Sequence, residues 1–275
     1  MTVQSALMAG VQTLKLAGID GAARDARVLM SAALGIDASR LTLCLHDPIA
    51  DDVRSLFEGY IAARQTHRPV SRILGRREFW GRSFKISDDV LDPRGDTETL
   101  IAEALRHAPH RFLDLGTGSG IIAITLLAEV ASCTGVAVDI SDRALDIARY
   151  NARQHNVEDR LEILTGSWFA PVAGVYDLIL SNPPYITETE MTALAPDVAL
   201  FDPKIALTPG GDGLDAYREI AAQAKMYLTQ TGAVIVEIGH LQAKDVTQIF
   251  QFHGFGNVTV IQDFDQKDRV IVAKL

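Results

Sequence analysis

Asn182, Pro183, Pro184 and Tyr185 stand in a row after the apolar stretch 176–180, and their types suit one kind of chemistry. The nitrogen of an amide or aromatic amine shares its lone pair with a neighbouring π system, so it is a poor nucleophile. Two oxygen acceptors, the side-chain carbonyl of Asn182 and the backbone carbonyl of Pro183, can bind both N–H hydrogens of such a group. They can then aim its nitrogen at an electrophilic methyl, such as that of a sulfonium. Holding the pair near attack geometry supplies much of the catalysis, and the acceptors favour the positive charge that develops on nitrogen. No strong general base is then required. Two successive prolines remove two backbone donors and restrict φ, which stiffens the bend carrying the acceptors. Tyr185 can press a planar group into place while its ring face tolerates a nearby cation. Taken alone, the four residues also read as a plain proline turn.

A donor site is suggested upstream. Asp114-Leu115-Gly116-Thr117-Gly118-Ser119-Gly120 lies where a buried strand hands over to a helix, and its glycines permit positive φ and close approach of a ligand. Free N–H groups at the helix start favour an anion, which for S-adenosylmethionine is the carboxylate of its methionine part. Dinucleotides use a similar turn, but their third glycine falls one residue later, where this chain has Ile121. A tight turn without a ligand is the structural alternative. Asp139, roughly 20 residues beyond the turn, closes the second strand, where an acidic side chain accepts hydrogen bonds from both ribose hydroxyls. It can instead cap the helix beginning near Asp142, although Ser141 suits that task. Trp168 can pack on an adenine ring or serve as an ordinary aromatic. Gly116, Thr117, Gly118, Ser119, Gly120, Asp139 and Trp168 are therefore the candidate cofactor residues, and no metal site is expected.

The elements that must hold these residues follow from periodicity. Strands are predicted over 111–115, 135–139, 160–164, 176–181, 232–238, 258–261 and 269–272, with helices over 120–129, 142–154, 214–228 and 242–252. Strands alternating with helices imply a parallel sheet covered on both faces. The last two strands have no helix between them and should pair antiparallel at one edge. The fold class is thus α/β, Rossmann-like, with a mixed seven-stranded sheet. The tetrapeptide lies at the carboxyl end of the fourth strand, where ligands bind in this architecture. Residues 78–80 and 84–86 are predicted as two short strands around a turn at 81–83, a β-hairpin linker. From Ser5 to about Arg68, three-to-four spacing predicts short helices broken near 18–21, 35–39 and 46–51, a small N-terminal helical bundle without a catalytic cluster. The expected boundaries are 1–73 for the bundle, 74–90 for the linker and 91–275 for the catalytic domain.

Composition narrows the function classes. With 275 residues, 48% hydrophobic and 22% charged, a packed core is expected and disorder is not. The longest apolar run, 120–128, is far short of the roughly 20 residues of a membrane span. No basic cluster precedes an apolar stretch in the first ten residues, so a cytoplasmic location is expected. Cys44 and Cys133 lie far apart and read as small buried hydrophobes. A formal charge of -9 disfavours a partner gripped by its phosphates and suits a protein substrate.

Together these motifs resemble the release-factor glutamine N5-methyltransferases of the HemK/PrmC type, along the whole chain. Beyond the glycine turn and Asn182 to Ile186, the likeness rests on Arg77-Glu78-Phe79-Trp80, Gly210-Gly211-Asp212-Gly213-Leu214 with Tyr217 and Arg218, Glu237-Ile238-Gly239-His240, and Asp268-Arg269-Val270. The resemblance implies a class I S-adenosylmethionine-dependent methyltransferase whose N-terminal domain helps to dock class I peptide-chain release factors. It further implies methylation of the glutamine of their Gly-Gly-Gln motif, release of S-adenosylhomocysteine, and a cofactor site lined by Gly116 to Gly120, Asp139, Trp168 and Asn182. Asn182, Pro183, Pro184 and Tyr185 would receive the glutamine, with Asn182, Pro183 and Tyr185 acting in catalysis. A monomer that binds neither nucleic acid nor membrane is expected.

The family pattern departs at Asp92 and Gly95, which stand where an apolar residue and a proline are usual, so the loop before the catalytic domain should be looser. Arg94 and Glu98 are retained, near the site or as a surface ion pair. A nucleic-acid adenine-N6 or cytosine-N4 methyltransferase is the main rival, since such enzymes also use an Asn-Pro-Pro-aromatic segment. The acidic balance, the absence of a large target-recognition insertion and an N-terminal region that is not basic weigh against it. A scaffold protein without turnover is a more distant rival.

Overall fold

The helical spacing of the first residues is realised as α1 (Val3–Leu16), α2 (Ala22–Ala33), α3 (Asp51–Gln65) and α4 (Val70–Leu74), with a 3-10 turn at Ala38–Leu43. Thr2 starts α1 by a reciprocal cap: its hydroxyl accepts from Ser5 N–H while Ser5 Oγ accepts from Thr2 N–H. Leu14, Leu29, Met30, Leu41 and Phe57 form the centre of this core, all at 2% exposure or less. Each fully buried side chain of this size contributes about 1.5–3 kcal/mol. The computed structural model describes residues 1–275 and separates them into two units. This first unit comprises Met1–Arg76 together with a distant segment, Ala195–Phe201.

That segment is fastened by charge. Arg64, 6% exposed, places Nε 2.7 Å from Asp25 Oδ2 and an Nη 3.0 Å from Asp197 Oδ2. Asp197 also faces His67 at 3.4 Å, and the Arg68 guanidinium lies 5.6 Å from the centre of the Phe201 ring. A buried guanidinium shared by two carboxylates meets its desolvation cost only while both remain in place.

The second unit, Arg77–Leu194 with Asp202–Leu275, is the α/β part. After the hairpin strands β1 (Arg76–Phe79) and β2 (Arg82–Lys85) come α5 (Thr97–Arg106), β3 (Arg111–Leu115), α6 (Ile121–Glu129), β4 (Thr134–Asp139), α7 (Asp142–Gln154), β5 (Leu161–Thr165) and β6 (Tyr176–Ser181). Short helices follow: α8 (Glu188–Met191), α9 (Pro196–Ala199, within the first unit) and α10 (Lys204–Leu207). The chain closes with α11 (Asp215–Ala224), β7 (Leu228–Glu237), α12 (Ala243–Phe252), β8 (Asn257–Gln262) and β9 (Asp268–Lys274). The sheet order is β5-β4-β3-β6-β7-β9-β8. Strands β3 to β7 run parallel, β9 is antiparallel to β7, and β8 pairs antiparallel with β9 at the edge, as the missing helix predicts.

Successive strand residues serve opposite faces, the consequence of a period of two. Phe112, Leu178, Leu180 and Ile235 join the layer containing Leu100 and Ile124. Leu113, Ile179, Val234 and Val236 join the layer containing Tyr217, Ile220 and Phe250. Because the chain leaves β3 toward β4 and β5 and then returns to β6 on the other side, the order reverses at β3. The carboxyl ends of β3, β4 and β6 therefore open at a switch point.

Four expectations need correction. The hairpin turn is Trp80-Gly81, with φ of 50° and 68°, rather than 81–83; two positive φ values match the twist of a two-residue hairpin. Helix α5 was not anticipated, although Leu100, Ile101 and Ala104 are its buried stripe. The helix expected over 214–228 ends at Ala224, passes through a 3-10 turn and gives way to β7 at Leu228. Cys133 is buried, but Cys44 is only partly so, because it ends the 3-10 turn at Ala38–Leu43.

Candidate active site

The glycine turn takes the shape its composition allows. Gly116, Gly118 and Gly120 have φ of 70°, 56° and 82°, and the space where side chains would project from Gly116 and Gly118 is open. Gly116, Thr117, Gly118 and Ser119 line a cavity of about 390 Å³, together with Asp139 and Trp168. Gly120 does not line it; a side chain there would strike Ile124 and Ala148, so this glycine serves the packing of α6 on α7. Asp139 accepts from Gly118 N–H at 2.8 Å through Oδ2 and from Ser141 N–H at 2.9 Å through Oδ1. Each carboxylate oxygen keeps a further lone pair for a ligand hydroxyl. Ser141, as expected, caps α7 through Ala144 N–H.

Two side chains brace the turn from behind. Asn151, 1% exposed, donates to the Ser119 carbonyl at 2.9 Å and exchanges two hydrogen bonds with the Lys85 backbone, joining the hairpin to the turn. Asp114 accepts from the Thr117 hydroxyl at 2.6 Å, and burial pushes its carboxyl up to about 7. Trp168 has φ of 48°, a backbone state uncommon for a large side chain, and it packs at the edge of the α11 layer while facing the cavity. Open glycines, an acidic residue with spare acceptors and an aromatic wall fit an adenosyl group bearing a methionine tail.

A second cavity of about 340 Å³ lies alongside, and Asn182 lines both. Pro184 faces the first, whereas Pro183 and Tyr185 face the second. The bend after β6 thus forms a partition with Asn182 at its opening. Ser181, fully buried, holds the strand end by donating to the Leu115 carbonyl at 2.7 Å.

The residues that hold this bend come from distant parts of the chain, and Thr97 and Gln242 among them carried no signal in the sequence. Asn182 Nδ2 donates to Thr97 Oγ1 at 3.2 Å, and Thr97 Oγ1 donates to Glu237 Oε2 at 2.7 Å. The Tyr185 hydroxyl donates to Glu237 Oε1 at 3.3 Å. Burial pushes Glu237 up to about 7, opposed by the Thr97 hydrogen bond and by Arg269. Burial, and then the Glu237 charge, hold the Tyr185 phenol far above its usual value, so it remains a neutral donor. Gln242 donates to the Tyr185 carbonyl at 2.9 Å and accepts from Gly239 N–H at 3.0 Å. Gly213, at φ of 76°, comes so close to that carbonyl that any side chain would collide with it. Arg269 bridges Asp96 and Asp263, both at 3.2 Å, on the wall of the second cavity. The motifs containing Glu237, Gly213 and Arg269 are visible in the sequence, but their convergence on Tyr185 is not. Nothing in the sequence signals that Pro203, Ile205, Ala206, Thr208 and Pro209 line the first cavity.

A release factor glutamine methyltransferase of Cereibacter sphaeroides is 49% identical to this chain over 275 residues, covering 100% of it and 99% of the relative. The chain belongs to the release factor glutamine methyltransferase family. A second member, from Rhodospirillum rubrum, is 41% identical over 96% of this chain and 82% of its own length. The methyltransferase small domain model matches residues 86–214, and the PrmC N-terminal domain model matches 5–75. Among solved structures, the hMettl16 catalytic domain in complex with a MAT2A 3'UTR hairpin shares the fold at a TM-score of 0.59. It is 17% identical and covers 78% of this chain and 81% of that one. A Pyrococcus furiosus methyltransferase has a TM-score of 0.53 at 15% identity, covering 71% and 89%.

The two departures from the release factor glutamine methyltransferase pattern have local explanations. Asp92 lies 3.7 Å from Arg77 Nε, and its N–H donates to Asp202 at 3.1 Å, so its charge has a partner. Gly95 does not have a positive φ and has open space around it, so the conformation does not demand glycine. Arg94 and Glu98 do not pair with each other. Arg94 approaches Asp202 at 3.6 Å and lines both cavities, while Glu98 accepts from Trp80 N–H at 3.1 Å, holding the hairpin turn on α5.

Proposed function

We propose that this protein methylates the side-chain nitrogen N5 of the glutamine in the Gly-Gly-Gln motif of class I peptide-chain release factors. S-adenosylmethionine supplies the electrophilic methyl group, and S-adenosylhomocysteine and a proton are the other products. One observation carries the proposal: Asn182 lies in the wall shared by the two cavities, with Pro184 toward one and Pro183 and Tyr185 toward the other.

Gly116, Thr117, Gly118 and Ser119 would hold the methionine part of the cofactor, Asp139 would accept from its ribose, and Trp168 would offer an apolar wall to its adenine. Asn182 Oδ1 and the Pro183 carbonyl accept the two N–H hydrogens of the substrate amide, which turns the nitrogen lone pair toward the first cavity. Tyr185 confines the planar group, and its neutral phenol adds no charge beside a developing cation. With positioning and acceptor dipoles supplying the rate enhancement, no side chain has to remove a proton before attack.

Residues 1–73 serve to dock the release factor, 74–90 link, and 91–275 catalyse. The enzyme works as a monomer in the cytoplasm and does not bind nucleic acid directly. A formal charge of -9 supports a protein partner, and no helix is long and apolar enough to cross a membrane. The nucleic-acid amino methyltransferase alternative is not favoured, since relatives matched over nearly the full chain bear the release-factor name. Mass spectrometry of a release factor before and after incubation with the enzyme and S-adenosylmethionine tests the proposal. A gain of one methyl on the Gly-Gly-Gln glutamine is expected; labelling of duplex DNA or RNA with an unmodified release factor refutes it.

A further inference from the structure

An asparagine amide has one end that donates and one that accepts, and turning it over exchanges them with almost no change of shape. The role of Asn182 requires its oxygen to face the substrate amide, so something must hold the side chain in that sense. The surroundings of Asn182 contain such a device. Glu237, 1% exposed, receives Thr97 Oγ1 at 2.7 Å on one oxygen and the Tyr185 hydroxyl at 3.3 Å on the other. Above its transition near pH 7 the Glu237 carboxylate is ionised and only accepts, so the single Thr97 proton is then committed to Glu237. The Thr97 oxygen facing Asn182 then has only lone pairs to offer. It can pair with the Asn182 Nδ2 end, at 3.2 Å, and not with Oδ1.

We infer that Thr97 and Glu237 are positioning residues that set the sense of the Asn182 amide, making the site select a glutamine amide over a glutamate carboxylate. The inference rests on the proposed methylation of glutamine and deepens it. Thr97 is 1% exposed on α5 and Glu237 closes β7, so both are held by regular structure with little freedom to re-aim. With Oδ1 and the Pro183 carbonyl both presented, the site offers two acceptors to the substrate. A glutamine NH2 satisfies both, whereas a glutamate carboxylate places oxygen against oxygen. Reversing the Asn182 amide would put a donor there and abolish the distinction.

Thr97→Val keeps the shape and removes the relay; the Asn182 nitrogen then gains by turning toward the open cavity, where it can be hydrated. The experiment uses the full-length enzyme at about pH 8, above the Glu237 transition. Turnover is measured with S-adenosylmethionine and a class I release factor. Binding is measured with S-adenosylhomocysteine present, using that release factor and its Gln-to-Glu variant in the Gly-Gly-Gln motif. Thr97→Val should lower turnover about tenfold or more, the scale of one hydrogen bond reversing its preference. It should shift the glutamine-to-glutamate binding ratio by about as much. Thr97 also lines the first cavity, so cofactor affinity should fall, but by less than turnover, and Thr97→Ser should restore turnover and the binding ratio.

Full turnover with the wild-type binding ratio in Thr97→Val overturns the inference. So does lost turnover with an unchanged ratio, which marks a merely structural role. If Thr97→Val does not fold, nuclear Overhauser contacts in the wild-type enzyme decide: Asn182 NH2 protons close to Thr97 support the relay, and their absence there overturns it. A wild-type enzyme that leaves the release factor unmethylated refutes the proposed function instead, and the same Overhauser measurement still judges the relay.

Discussion

Asp139 Oδ2 accepts the Gly118 N–H at 2.8 Å, so the residue at the end of β4 shapes the glycine turn as well as facing the cavity beside it. Its other oxygen holds Ser141 N–H at the entrance to α7. Asp139→Ala should therefore weaken S-adenosylhomocysteine binding by about 1–3 kcal/mol, through the lost ribose acceptor and a loosened turn. Titration calorimetry measures this directly, and an unchanged dissociation constant would refute the assignment.

Asn182 belongs to both cavities, but its acceptor is needed mainly at the methyl-transfer step. Asn182→Ala should reduce turnover about 100-fold or more, on the scale of losing one preorganised polar group, with a smaller loss of cofactor affinity. Single-turnover kinetics alongside binding measurements separate the two effects. Equal losses in both would count against the proposed role.

Gln242 is a support rather than a substrate contact: it joins the Tyr185 carbonyl to the Gly239 N–H. Gln242→Ala leaves both half-buried backbone groups short of a partner and should cost about 1–3 kcal/mol of stability. Turnover should fall while the cofactor dissociation constant stays the same, because the first cavity lacks Gln242. Weakened cofactor binding would show that the bend is not the part it holds.

Glu237 predicts a pH dependence of stability. Its carboxyl titrates near 4.5 when unperturbed and near 7 in the folded protein, so the folded state retains the proton longer. The associated stability is fully present below about pH 4.5 and is lost as pH rises through about 7. The total is on the order of 3 kcal/mol. Asp114, also pushed up to about 7, loses its share over the same upper range. The melting temperature of the wild type relative to Glu237→Gln should therefore fall as pH rises across this window. A constant difference between the two proteins from acid to alkaline pH would exclude a raised Glu237.

In the helical unit, Arg64 serves two carboxylates. Arg64→Ala strands Asp25 and Asp197 and should destabilise this unit by about 3 kcal/mol. Urea unfolding followed by proteolysis near 195–201 provides the test. An unaltered midpoint and unaltered cleavage would show that the segment is held by something else.

The amino-acid sequence alone determined the alternation of strands and helices, the antiparallel last pair, the glycine turn, Asp139 and the Asn182 to Tyr185 bend. These features are local: a period of two or 3.6, a strand end followed by glycine, or two adjacent prolines can be read from neighbouring residues. Helix α5 escaped because its buried stripe is short, and with it escaped Thr97. The contacts of Thr97 with Glu237, 140 residues away, and with Asn182, 85 away, arise only when α5, β6 and β7 pack together. Tertiary structure alone decided that Gly120 serves helix packing and that Arg94 and Glu98 take different partners. It also decided that residues 195–201 leave the α/β unit to meet Arg64. Buried polar groups must find partners wherever the folded chain brings them, and sequence spacing carries no record of those distances.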